Sequence, residues 1–118
     1  MIPRGDEANL RAILRAARSA IHRADGRSRE RFLADADLCN AVLHRIERIQ
    51  DLSLCVSEAT RVSLVHIPWA RLDTLRERTR RVVEEGGVTA LDQGILWDIL
   101  VTEMPGVVAA LQQAIPGA

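Results

Sequence analysis

Residues 32–50 read FLADADLCNAVLHRIERIQ, and the spacing of their apolar side chains decides the fold class. Phe32, Ala36, Cys39, Leu43 and Ile46 recur every three or four positions, the period of a helix face rather than the alternation of a strand. Leu33, Val42, Ile49 and, further on, Val56 widen the stripe. A stripe this broad predicts a helix that touches more than one neighbour. Ser28 stands where an N-cap belongs. The pattern weakens at Ser53 and Ser57, so one long helix is expected, followed by a break between Ser57 and His66 with a short helical piece.

Working outward, Leu10, Ile13, Leu14, Ala17 and Ile21 share one face of a first helix over about Glu7–Ala24, with Arg11, Arg15 and Arg18 opposite. Asp6 is the expected N-cap, and Asp25-Gly26 the expected stop. Ile67-Pro68-Trp69 opens a third helix, since proline is tolerated in a first turn. Leu72, Leu75, Val82 and Val83 give it an apolar side, and Glu77/Arg81 and Arg80/Glu84 would pair along it at i,i+4. Gly86-Gly87 is the expected end. Thr89 with Asp92 resembles a capping box for a fourth helix. That helix is apolar nearly all round (Leu91, Ile95, Leu96, Trp97, Ile99, Leu100, Val101, Met104), which calls for burial on most sides and points to a dimer. Pro105 should kink or restart it before a last stripe of Val107, Val108, Leu111 and Ile115. The expectation is an all-α fold: one domain over 1–118, an up-down antiparallel bundle of four to five helices joined by short connections, dimeric.

Composition agrees. The 118 residues suit one domain, 47% are apolar, and aromatics are only 3% with no Tyr, a balance that leans away from sheet. Net charge is zero, so no global basic field gathers nucleic acid. The distribution is uneven: every basic residue is Arg, and Arg71, Arg76, Arg78, Arg80 and Arg81 form the densest cluster. Its simple reading is a solvated face with local ion pairs. Its functional reading is a contact for RNA phosphates or for a partner protein. Aromatic side chains that could stack bases are scarce, and Phe32, Trp69 and Trp97 all look like core.

No metal-ligand spacing joins His22, His44 or His66 to a cysteine or carboxylate, and no glycine-rich phosphate loop appears, so no cofactor is expected. Asp35 and Asp37 lie two apart, so their side chains diverge. Cys39 and Cys55 are too far apart along one helix for a disulfide and sit among apolar residues. Buried free thiols, and a reducing cytoplasm, are expected. No apolar signal core opens the chain, and no run approaches 18 uninterrupted apolar residues, so no membrane span is expected.

Phe32-Leu33-Ala34-Asp35, then Ala41-Val42-Leu43 through Ile46-Glu47-Arg48-Ile49, resembles the second helix of the HepT-like branch of the HEPN superfamily. Gln50-Asp51-Leu52 stands where that pattern has Gly-Glu-Ala. Ile67-Pro68-Trp69 matches its I-P-W, and Asp92 through Ile95, Trp97 and Met104-Pro105 resembles its ending. The resemblance spans about residues 7–115 and implies a dimeric helical bundle from toxin–antitoxin systems. It also implies a ribonuclease motif, R-x4-H-x-Y, on the third helix, and a small nucleotidyltransferase (MntA-like) antitoxin that modifies the Tyr with AMP. Counted from Ile67-Pro68-Trp69, the motif's Arg is Arg76, its His position holds Arg81, its Tyr position Val83, and the neighbouring Asn is Glu77. An arginine stays protonated and cannot act as the base that His would be. The expectation is a catalytically inactive HepT-like protein acting by dimerisation and partner binding. The alternative is a residual RNA endonuclease using Arg76 and Arg81, with a displaced His such as His66.

Overall fold

A computed structural model describes the backbone of residues 2–83 and 88–118, and the side chains of these residues outside 81–90. The buried core is drawn from helices and the turns that join them, so the fold is all-α in its packing. Helix α1 (Arg4–Ala24) packs chiefly on α3 (Ala36–Leu54) and on α8 (Met104–Ala114). Leu10, Ile13, Ala17 and Ala20 of α1 meet Val42, Ile46 and Ile49 of α3 in this core, all 0% exposed. Ala17 and Ala20 have little side chain to separate the two helix backbones.

α1 begins earlier than expected. Pro3 occupies the N-cap position without a side-chain cap, and Asp6 lies inside the first turn. Its carboxylate accepts hydrogen bonds from the Ser57 N–H (3.0 Å) and the Ser57 and Thr60 hydroxyls (2.5 Å each), tying α1 to α4 (Glu58–Ser63). The stop at Asp25-Gly26 is as read: Asp25 is the C-cap and Gly26 takes φ +75°, a left-handed value that costs glycine nothing.

The long second helix is broken. A short α2 (Arg29–Ala34) ends at Asp35, whose backbone is extended and whose Oδ1 accepts the Leu38 N–H at 3.0 Å. An aspartate that can cap competes with helix continuation, and here the cap wins. Arg27 adds an ion pair to Asp35 at 3.0 Å. Ser28 caps α2 as expected. Cys39 is buried and donates its S–H to the Phe32 carbonyl, and burial pushes the Cys39 thiol up. Cys55 differs from expectation: it is exposed, at the C-cap of α3, while its neighbour Val56 is buried.

The third helix is also shorter than the pattern implied. Pro68 is the N-cap of α5 (Trp69–Leu72), and α6 spans only Leu75–Thr79. From Arg80 the chain is extended: β1 (Arg80–Val83) pairs antiparallel with β2 (Val88–Leu91), with Arg80 opposite Leu91 and Val83 opposite Val88. Asp92 N–H donates to the Thr79 carbonyl at 2.7 Å and closes the base of the pair. Paired valines (Val82, Val83, Val88) and Thr89 favour a ladder over a helix. Glu77/Arg81 and Arg80/Glu84 therefore lack the helix they need; the Arg81 side chain, Glu84 and the Gly86-Gly87 stop lie outside the described residues. Thr89 belongs to β2, and Asp92 alone caps α7 (Gln93–Asp98) through the Ile95 N–H at 3.1 Å.

α7, a π-helical turn (Ile99–Glu103) and α8 run on as one helix, Gln93–Ala114. Pro105 has no N–H to offer the preceding turn. The Met104 N–H instead reaches back five residues to Ile99. The result is a widened turn rather than a break. By length and composition this 22-residue helix, with mean hydropathy 1.5 in its most apolar window, is long and apolar enough to cross a membrane. Asp98 and Glu103 punctuate it, so it holds no uninterrupted apolar run of that length. Leu96, Ile99, Leu100, Met104, Val107 and Leu111 are buried in the core, while Ile95 and Val101 are exposed. Phe32 and Trp97 stack in a tilted pair, centroids 5.1 Å apart, which docks α2 on α7. Where the sequence predicted four to five helices, the described residues form seven separate helices, with Gln93–Ala114 as one, because Asp35, the Ser57–Pro68 turns and the Arg80 strand divide the long ones.

Candidate functional site

The arginine cluster divides into two groups that face opposite neighbours. Arg71 of α5 and Arg78 of α6 both reach Glu103 at the end of the π turn. Arg71 donates through Nε to Oε1 at 2.9 Å and through Nη2 to Oε2 at 3.1 Å, and Arg78 donates to the same Oε2. Burial pushes the Glu103 carboxyl up, but the two guanidinium donors outweigh it and hold Glu103 below its usual range.

Arg76 and Arg80 turn the other way, to α3. Arg76 Nη2 lies 2.9 Å from each Asp51 oxygen, and its Nη1 lies 3.5 Å from Glu47 Oε2. Arg80 donates to the same Glu47 oxygen at 2.7 Å. The Arg76 backbone N–H, one of the orphan donors of a first helical turn, donates to Gln50 Oε1 at 2.7 Å. Arg71, Arg76, Arg78 and Arg80 thus each face a carboxylate of their own chain. They clamp the short α5–α6 region between α3 and the C-terminal helix. Arg81's side chain lies outside the described residues.

A second ionic network stands beside the first. Arg61 of α4 donates to both Asp73 oxygens and to the Ser53 carbonyl, and lies over the Trp69 ring. Trp69 Nε1 donates to the Arg61 and Leu64 carbonyls, so the I-P-W tryptophan is a latch between α4 and α5. The Asp73 carboxyl is held low by Arg61 first and by the Ser53 hydroxyl in support, against desolvation. Among the described residues no imidazole or thiol takes part in either network. His22, His44 and His66 are all exposed. Among the described residues no group of three His, Cys, Asp or Glu side chains is placed to hold a metal ion.

Sequence reading passed over a third feature. Between α1 and α3 lies a groove of about 410 Å³ rimmed by Arg15, His44, Arg45 and Arg48. Its signal was present in the chain: no acidic residue occurs from Ala8 to Ala24 or from Leu38 to Ile46. That the two stretches face each other is a tertiary fact, which periodicity does not supply.

Comparison with family models, with curated proteins and with solved structures gave no match.

Proposed function

We propose that this chain is a binding protein rather than a nuclease: a catalytically degenerate HepT-like component that dimerises and docks a partner such as a small nucleotidyltransferase. The observation that carries the reading concerns Arg76, the position of the motif's arginine. It is held by Gln50 and Asp51, two of the residues that replace the pattern's Gly-Glu-Ala. Gln50 stands where the pattern has Gly, so its contact to the Arg76 N–H is particular to this chain, while Asp51 keeps the acidic character of the pattern's Glu. A guanidinium that faces two carboxylates attracts a scissile phosphate less than an unpaired one would, even where water screens the pair. The strand at Arg80 adds to this, because Arg76 and Arg81 no longer share one helix. The same ties weigh against a residual endonuclease built on Arg76, Arg81 and His66.

The up-down bundle arrangement and the dimer are part of the proposal. Ile95 and Val101, 38% and 45% exposed on an otherwise core-forming helix, support an apolar contact between copies. The test is sedimentation at micromolar concentration together with capture of partners from the native lysate. A dimer that retains a nucleotidyltransferase is expected. A monomer would overturn the dimer, and RNA cleavage lost in Arg76→Ala would overturn the non-catalytic reading.

A further inference from the structure

We infer that the groove between α1 and α3 is a phosphate-binding site. Its rim brings three guanidiniums and an imidazole together: Arg15 from α1, and His44, Arg45 and Arg48 from α3. Among the described residues none of these arginines lies within ion-pair distance of a carboxylate, in contrast to Arg71, Arg76, Arg78 and Arg80. In a chain of zero net charge this is a local excess of positive charge.

The groove is also ordered. Arg45 Nε donates to the Ser19 hydroxyl across the helix pair at 2.6 Å, and its Nη1 donates to the Ala41 carbonyl at 3.1 Å. These bonds fix the guanidinium in place before any ligand arrives, which lowers the ordering cost of binding. Ala12 and Ala16 form the floor, where larger side chains would fill the space. Arg15 and Arg48 are exposed on either side and free to close on an anion with paired donors.

The excess of cationic donors favours phosphate over bases. No Phe, Tyr or Trp lines the groove, so a nucleobase would meet only the His44 ring and the guanidinium planes. A phosphate ester of a small molecule and the phosphodiester backbone of a nucleic acid present the same group, and the experiment separates them. The inference is independent of dimerisation and partner docking, and its failure leaves that reading intact.

The experiment follows amide and Arg side-chain NMR signals during titration with inorganic pyrophosphate, then with a twelve-nucleotide polyuridine, at low salt. Arg15→Gln and Arg48→Gln are compared with Arg23→Gln, which removes the same charge from an exposed position of α1 that does not line the groove. Circular dichroism checks that each variant is folded. The expected result is perturbation centred on Arg15, Ser19 and Arg48, with affinity reduced about fivefold or more in Arg15→Gln and Arg48→Gln and unchanged in Arg23→Gln. Binding of both probes, with the oligonucleotide's salt slope falling by about one in Arg48→Gln, supports the site and assigns it to a nucleic-acid backbone. Binding of pyrophosphate alone supports the site and assigns it to a small phosphate ester. Absence of perturbation in the groove, or equal weakening by all three substitutions, overturns it.

Discussion

The guanidinium of Arg61 faces both carboxylate oxygens of Asp73, at 2.6 and 2.9 Å, while its carbon lies 4.9 Å from the centre of the Trp69 ring. The two side chains are only 15% and 24% exposed. Removing the cation would leave Asp73 partly buried and short of its main partner. Arg61→Ala should therefore destabilise the fold by about 2 kcal/mol, below the range for fully buried pairs because water still reaches this one. Arg61→Lys should recover little, since an ammonium cannot present a planar fork to Asp73 and a flat face to Trp69 together. Urea unfolding of the three proteins measures both.

The exposed pair should behave differently. Arg76 and Asp51 are 40% and 60% exposed, so water and salt screen their attraction. A double-mutant cycle with Arg76→Ala and Asp51→Ala should give a coupling of about 0.5 kcal/mol that shrinks in high salt. A coupling of several kcal/mol would show that α6 depends on this contact far more than its exposure implies.

Acid should act through Asp6, Asp73 and Glu103. Hydrogen bonds from the Ser57 side chain, then Thr60, hold the Asp6 carboxyl below its usual range, and Asp73 and Glu103 are lowered as well. A folded-state pKa below the unfolded one contributes stability that is complete above the unfolded value, near pH 4, and is lost as pH falls through the folded value. Stability owed to these groups should be flat from about pH 5 upward and fall below about pH 4. Asp6→Asn should cost about 1–2 kcal/mol at pH 7. The gap between wild type and variant should narrow at pH 3. A gap that stays constant with pH would mean that shape, and not charge, matters at this position.

The cysteines supply a chemical readout. Cys55 is exposed, whereas Cys39 is buried with its thiol pushed up. A thiol reagent should label Cys55 at once in the native protein, and Cys39 only at the rate of unfolding. Rapid labelling of both would place the α2–α3 junction in an opened state.

Much of this was legible in the chain. The core faces of α1 and α3 follow directly from apolar spacing, and Gly26 and Asp92 act as their residue types predict. What escaped were contests between local preferences. Asp35 could continue a helix or cap one, and it caps because the Leu38 N–H and Arg27 both reward its carboxylate. Val82 and Val83 fit an apolar helix side and also a ladder, and strand pairing with Val88 and Thr89 decided between them. For the arginine cluster, the sequence showed charge but not its partners. Glu47, Asp51 and Glu103 lie some 25 to 33 positions away along the chain from the arginines they meet, and only the fold brings them together. The groove between α1 and α3 was hidden for the same reason.

The widened turn at Ile99–Glu103 has a bearing on how this helix could have arisen. Leu96, Leu100, Met104, Val107, Leu111 and Ile115 are all buried, yet they recur a little more slowly than the roughly 3.6 residues per turn of a regular helix. One five-residue turn absorbs that lag and keeps the whole row facing inward. In effect the helix carries a single surplus residue, stored where the backbone is already loosened. Elsewhere in a packed helix, losing a residue would swing everything beyond it through about 100°. Here the deletion would let the turn tighten into register, so this is the point where the length of the chain can change while its interior stays the same.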